Sequence, residues 1–124
     1  MIVTRQDIKD ILLKWKNNVI TAENVQNWAM NVCDSDFEYE DWDEHGNSVS
    51  NEILNMLDGL AMNLILQEDI DCYLRFLNTP IDKFKKGYSS WDKYLESINY
   101  DTRKSMLKNN MLYKQYCSNS ATEK

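Results

Sequence analysis

Val49-Ser50-Asn51-Glu52-Ile53-Leu54-Asn55-Met56-Leu57-Asp58-Gly59-Leu60-Ala61-Met62-Asn63-Leu64 is the stretch on which the fold turns. Val49, Ile53, Met56, Leu57, Leu60, Ala61 and Leu64 recur at helical spacing and make the longest apolar stripe in the chain. The spacing predicts a central helix over about 49–65, packed on several sides. Gly59 inside it costs about 1 kcal/mol relative to alanine, so it marks close helix–helix approach or simple tolerance.

Upstream, Thr4 and Asp7 resemble a capping box, and Ile8, Ile11, Leu12 and Trp15 follow at helical spacing. That predicts a helix over 5–17, stopped by Asn17-Asn18. Thr21 caps a second helix carrying Val25, Trp28, Ala29 and Val32, with Glu23 at the positive end of its dipole. Downstream, Ile70, Tyr73, Leu74 and Leu77 predict a fourth helix after a kink near Gln67. Thr79-Pro80-Ile81-Asp82 supplies an N-cap, a first-turn proline and an acid, and Lys85-Lys86-Gly87 supplies the matching stop. Ser89 or Ser90 opens another helix with Trp91, Tyr94, Leu95 and Ile98. Asp101 caps a last one, with Met106, Leu107, Met111, Leu112 and Tyr116 inward. Residues 118–124 read as a frayed tail. Three glycines and one proline in 124 residues leave little room for a many-turned β fold. The expectation is a single all-α domain, a compact bundle of about six to seven short to medium helices around the central one.

Charge is unevenly distributed. The net charge is −6, yet from Asn17 through Leu74 there is no lysine or arginine, against thirteen acids. The flanking parts are both net positive. Such asymmetry steers association with oppositely charged partners and repels phosphates from the central face. Nucleic acid is therefore not expected to bind directly. The acids concentrate in Asp34-Ser35-Asp36-Phe37-Glu38-Tyr39-Glu40-Asp41-Trp42-Asp43-Glu44-His45-Gly46-Asn47, read as a loop or short helical turn because its carboxylates repel one another. Aromatic anchors inside a negative field are the ingredients of a protein interface for a basic partner. Asp34, Asp36, Phe37, Glu38, Tyr39, Glu40, Asp41, Trp42, Asp43 and Glu44 are the expected partner-binding residues, together with Glu68, Asp69 and Asp71. Trp15, Trp28 and Trp91 lie on helical stripes and belong to the core.

Catalytic and metal chemistry finds little footing. His45, the single histidine, sits among carboxylates with no serine or cysteine at base-partner spacing. No phosphate-binding glycine loop, GxSxG elbow or HExxH occurs. Asp34, Asp36 and Glu38 fit the first, third and fifth positions of a calcium loop, but the sixth is Tyr39 and the twelfth His45, where glycine and glutamate are needed. No enzyme, metal or cofactor is expected. Cys33, Cys72 and Cys117 are odd in number and widely spaced, which suits reduced thiols in a cytoplasm, the first two as core residues. No stretch has the apolar length of a signal peptide or a membrane span, and no membrane association is expected.

Thr21-Ala22-Glu23-Asn24-Val25-Gln26-Asn27-Trp28-Ala29 resembles the Thr-x-x-x-Val-x-x-Trp-Ala helix of small helical immunity proteins of bacterial contact-dependent growth inhibition and other polymorphic toxin systems. The acidic-aromatic segment, Leu57-x-x-Leu60, and Tyr73-Leu74 ahead of Phe84 follow in similar order, so the likeness spans residues 21–84. The resemblance implies a cytoplasmic protein, monomeric when free, that neutralises a cognate toxin domain, often a cationic nuclease. A DNA-mimic or antitoxin-like inhibitor of another enzyme, a non-inhibitory helical adaptor and, last, a small metal-dependent enzyme using the acid cluster are the alternatives.

Overall fold

The computed structural model describes residues 1–117, so the tail expected over 118–124 lies outside the described residues. Four of its six described helices begin where a side chain satisfies an orphan amide of the first turn. Thr4 opens α1 (Arg5–Lys16), accepting from the Asp7 N–H at 3.0 Å while the Asp7 carboxylate accepts from the Thr4 N–H at 3.0 Å. Thr21 and Asn24 repeat the reciprocal arrangement at the start of α2 (Ala22–Cys33). Ser48 caps α3 (Val49–Asp58), and α4 (Ile70–Leu77) follows a 3-10 turn at Gln67–Asp69, where the kink was expected. α5 (Phe84–Ser97) and α6 (Tyr100–Leu107) complete six helices among the described residues. The fold is all-α in class, with one small addition. β1 (Ile2–Val3) pairs in parallel with β2 (Glu38–Tyr39), Ile2 facing Glu38 and Val3 facing Tyr39. Two-residue strands are too short to leave an alternation in the sequence.

α3 packs chiefly on α2, α1 on α4, and α4 on α5. The core between them includes Ile8, Leu12, Val25, Ile53, Leu54, Leu57, Tyr73 and Leu77, none more than 1% exposed. Trp15 and Trp91 are buried and Trp28 packs against the core, as their stripes predict.

The central helix is shorter than its stripe. It ends at Asp58 with Gly59 as its cap, and the chain turns through Leu60–Leu64, where Leu64 adopts a left-handed φ of 51°. Two side chains hold that turn: Gln26 accepts from the Ala61 N–H at 2.7 Å, and the Asn63 amide donates to the Met56 carbonyl at 3.0 Å. Leu60, Ala61, Leu64 and Ile65 are all buried in the turn, so the apolar pattern is satisfied without helix.

Gly87 does not stop a helix either. The expected short helix is a 3-10 turn at Ile81–Lys83, and α5 runs unbroken through Gly87 and the serines after it. Thr79, expected as an N-cap, is buried against Gly87, where an added Cβ would lie 2.2 Å from the Thr79 Oγ1. The glycine serves close approach of α5 to the end of α4. At the last helix the cap is Asn99, which accepts from the Thr102 N–H at 3.0 Å, rather than Asp101. Met106 and Met111, expected inward, are 65% and 81% exposed. The buried side chain in this stretch is Tyr113, whose hydroxyl donates to the Ile65 carbonyl at 2.6 Å.

One polar node joins these parts. Asp69 is 1% exposed and meets Arg103 of α6 through two N–H donors, each at 2.7 Å. It also accepts from the Leu66 N–H at 2.8 Å and from the Tyr94 hydroxyl of α5. Arg103 donates onward to the Leu64 carbonyl at 2.9 Å. The bonds to Asp69 raise the Arg103 pKa against the opposing effect of burial, and burial with the adjoining Asp69 pushes the Tyr94 hydroxyl up to about 12. Asp69 is therefore a structural acid and not, as its neighbours suggested, part of a partner-binding face. Removing one partner strands a buried charge. Urea unfolding of Arg103→Met is expected to show a loss of about 3–5 kcal/mol. Tyr94→Phe is expected to lose about 1.5–3 kcal/mol, the range for a hydrogen bond to a charged group.

Candidate functional site

The acidic segment leaves α2 at its C-cap, Asp34, and is turned by Ser35, whose hydroxyl donates to the Val32 carbonyl at 2.6 Å. β2 then ties it to the N-terminus: the Glu38 N–H donates to the Met1 carbonyl at 3.0 Å and the Glu40 N–H to the Val3 carbonyl at 3.2 Å. Exposure alternates from here, Glu38 out, Tyr39 in, Glu40 out, Asp41 in, Trp42 out. This is the period-two pattern of extended chain. Phe37, Tyr39 and Trp42 form an edge-to-face ladder with centroid spacings of 5.1 and 5.7 Å. Its middle member is buried and its last is 48% exposed. Burial, with Cys33, Asp41 and Asp58 nearby, drives the Tyr39 hydroxyl pKa far above its ordinary value. Tyr39 supports the segment from inside and offers no surface to a partner.

Asp41 is the second correction to the expected face. It is 3% exposed, and its carboxylate accepts from the Ser48 hydroxyl, from the Ser50 N–H and hydroxyl, each at 3.0 Å, and from Arg5 Nε at 2.9 Å. Arg5 also donates to the carbonyls of Leu77 at 2.9 Å and Thr79. One guanidinium thereby ties the acidic segment to α1 and to the end of α4. Burial alone would raise the Asp41 pKa, but the hydrogen bonds from Ser48, Arg5 and Ser50 outweigh it and hold the carboxyl below the usual range.

The remaining acids divide by environment. Asp43 is half-buried and closes a turn, accepting from the N–H groups of Asn47 and His45 at 2.8 Å each; those bonds, Asn47 first, lower its pKa. Asp34, Asp36, Glu38, Glu40 and Glu44 are exposed. Among the described residues none of them pairs with a lysine or arginine, and Glu44 has only His45, at 3.4 Å. Glu68 is exposed at 4.0 Å from Arg103, and Asp71 is bound by Lys16 at 2.7 Å, which lowers its pKa. The structure therefore brings together five exposed acids and Trp42 on one segment. Of the second set, Asp69 lies inside and Asp71 is already paired.

The segment holds no assembled chemistry. The His45 side chain is 74% exposed beside an equally solvated Glu44. Burial raises the Cys33 and Cys72 thiol pKa values, which keeps both in the neutral, weakly nucleophilic form. Glu38, the fifth position of the calcium-like spacing, lies in β2, and among the described residues no three His, Cys, Asp or Glu side chains gather as a metal site. None of the helices in the described residues is long and apolar enough to cross a membrane. Comparison with protein-family models, with curated proteins and with solved structures finds no match.

Sequence reasoning missed the knot of Arg5, Asp41, Ser48 and Ser50. The signal available was weak: two serines one residue apart at the start of a helix, and a lone arginine among lysines. Its stability contribution carries a definite sign with pH. An aspartate in the unfolded chain titrates near pH 3.9, so a folded value below that stabilises fully above about pH 4 and less as pH falls through the folded value. Between about pH 5 and pH 3, urea unfolding is expected to show a steeper loss for the wild type than for Asp41→Asn. At neutral pH, Asp41→Ala is expected to lose about 3–5 kcal/mol, since it strands Arg5 in a mostly buried position.

Proposed function

We propose that this chain is a non-catalytic immunity protein that neutralises a cationic toxin domain, a nuclease by preference, by docking its acidic segment onto the toxin's phosphate-binding surface. The observation that carries the reading is the exposed Trp42, held up by buried Tyr39 and Asp41 and flanked by five carboxylates that, among the described residues, form no ion pair with a lysine or arginine. A nuclease needs cations to hold its substrate, and a carboxylate array competes for them. An aromatic anchor set in such a rim is the arrangement in which a few residues dominate binding energy. The likeness of residues 21–84 to helical immunity proteins points the same way. The three free thiols suit a reducing cytoplasm, and the protein acts as a monomer when free.

The test is co-expression with the product of the adjacent gene, followed by binding rates at two ionic strengths. Rescue of growth and a salt-sensitive complex are expected. Asp36→Lys with Glu44→Lys should slow association about tenfold or more and flatten its salt dependence, because rim charges act on encounter. Trp42→Ala should speed dissociation by an amount worth about 2 kcal/mol or more, with the salt slope unchanged. All three positions are exposed, so circular dichroism should match the wild type; the charge reversals should leave melting unchanged, while Trp42→Ala, which loses the edge contact with Tyr39, should cost about 0.5–1.5 kcal/mol. Affinity that ignores both variants would remove the segment from the interface.

A further inference from the structure

α4 and the first half of α5 line an open cleft of about 480 Å³ whose chemistry is opposite to that of the acidic segment. One wall is apolar, made by Phe76, Pro80 and Trp91. The Phe76 and Trp91 rings stack with centroids 4.6 Å apart and planes inclined by 23°. Gly87 also lines the space, and its missing side chain is what lets α5 close on Thr79. Around this wall stand Arg75, Lys83 and Lys86, with no carboxylate in the lining. Among the described residues none of these three cations makes an ion pair. Three like charges drawn around an apolar wall, with no carboxylate among the lining residues, leave a positive field over the space.

We propose that this cleft binds a small organic anion with an apolar body, its carboxylate or phosphate held among Arg75, Lys83 and Lys86. The volume falls within the range of small-molecule sites, which combine an apolar lining with a few converging polar groups. The apolar part of the ligand packs on Pro80 and on the small exposed area of Phe76 and Trp91, and the Arg75 guanidinium offers the planar fork that suits a carboxylate or phosphate. Cys72 also lines the space, but burial raises its thiol pKa, so the ligand is held without a covalent bond. This site is independent of the acidic segment and of the proposed toxin.

The experiment titrates 1-naphthyl phosphate into the ¹⁵N-labelled full chain and follows the Trp91 indole resonance, assigned through Trp91→Phe. Saturable binding that shifts this resonance is expected, with neutral 1-naphthol and inorganic phosphate each at least tenfold weaker. Arg75→Gln with Lys86→Gln should weaken naphthyl phosphate at least tenfold and leave naphthol unchanged. Both positions are exposed, so the fold should hold; Lys83→Gln, from the 3-10 turn facing them, is the independent variant and should act in the same direction. AMP and 1-naphthoate run in parallel distinguish a nucleotide from an aryl carboxylate by which binds more tightly. Naphthol binding as well as its phosphate, a Trp91 resonance that does not move, or full affinity in the charge-removed variants would each overturn the proposal.

Discussion

A carboxylate sealed inside a protein has to be met by donors, and at Asp69 those donors come from every part of the chain's second half. The Leu66 amide, the Tyr94 hydroxyl and both arms of Arg103 converge on it. α4 begins at this acid, α5 reaches it through Tyr94, and α6 is attached through Arg103. α6 buries no apolar side chain fully, and its one buried residue is that arginine. An ion pair of this kind is a poor source of net stability compared with an apolar contact of equal volume. Its value lies in geometry, because a bidentate guanidinium accepts one orientation where a leucine would accept several.

The same logic, repeated at Asp41, shapes the acidic segment. Seven carboxylates on fourteen residues would splay apart if all faced water. Turning one inward, onto Arg5 and two serines, anchors the segment and aims the others. Glu38 and Glu40 point outward because Tyr39 and Asp41 point inward, and Trp42 stands beyond the last anchor. The charge pattern available to a partner is therefore an outcome of burial elsewhere in the segment.

The helices were legible where their signals were local. Thr4 with Asp7, Thr21 with its helix, and the stripes of α1, α2 and α4 all lie within a few residues of one another. Legibility failed where an apolar or punctuating residue answers to something distant. Leu60, Ala61 and Leu64 fit a helical face, but Gln26 of another helix takes the Ala61 amide and the chain turns. Gly87 has the sequence context of a stop, yet it answers to Thr79. Met106 and Met111 have core-like chemistry, yet they face solvent, and it is Tyr113 that is buried and bound to the distant Ile65 carbonyl. In the acidic segment, the charged and aromatic residue types pointed to a surface, and five of the acids do lie there. Asp41, Asp69 and Tyr39 could not be sorted from them, since a buried acid differs from an exposed one only by partners remote in sequence.

The Asp69 and Arg103 pair also sets an order in time. The two residues lie 34 positions apart, and the acid is made first. At translation rates of about 5–20 residues per second, that interval is about two to seven seconds. Until Arg103 is made, the Asp69 carboxylate retains its water, and α4 cannot seal against the turn before it. The acidic segment's own anchors, Arg5, Ser48 and Ser50, all precede Asp69, whereas α1 waits on α4, against which it packs and whose Leu77 carbonyl Arg5 binds. Emerging from the ribosome, the chain thus presents its acidic segment on a partly built scaffold and locks the rest with one late cation.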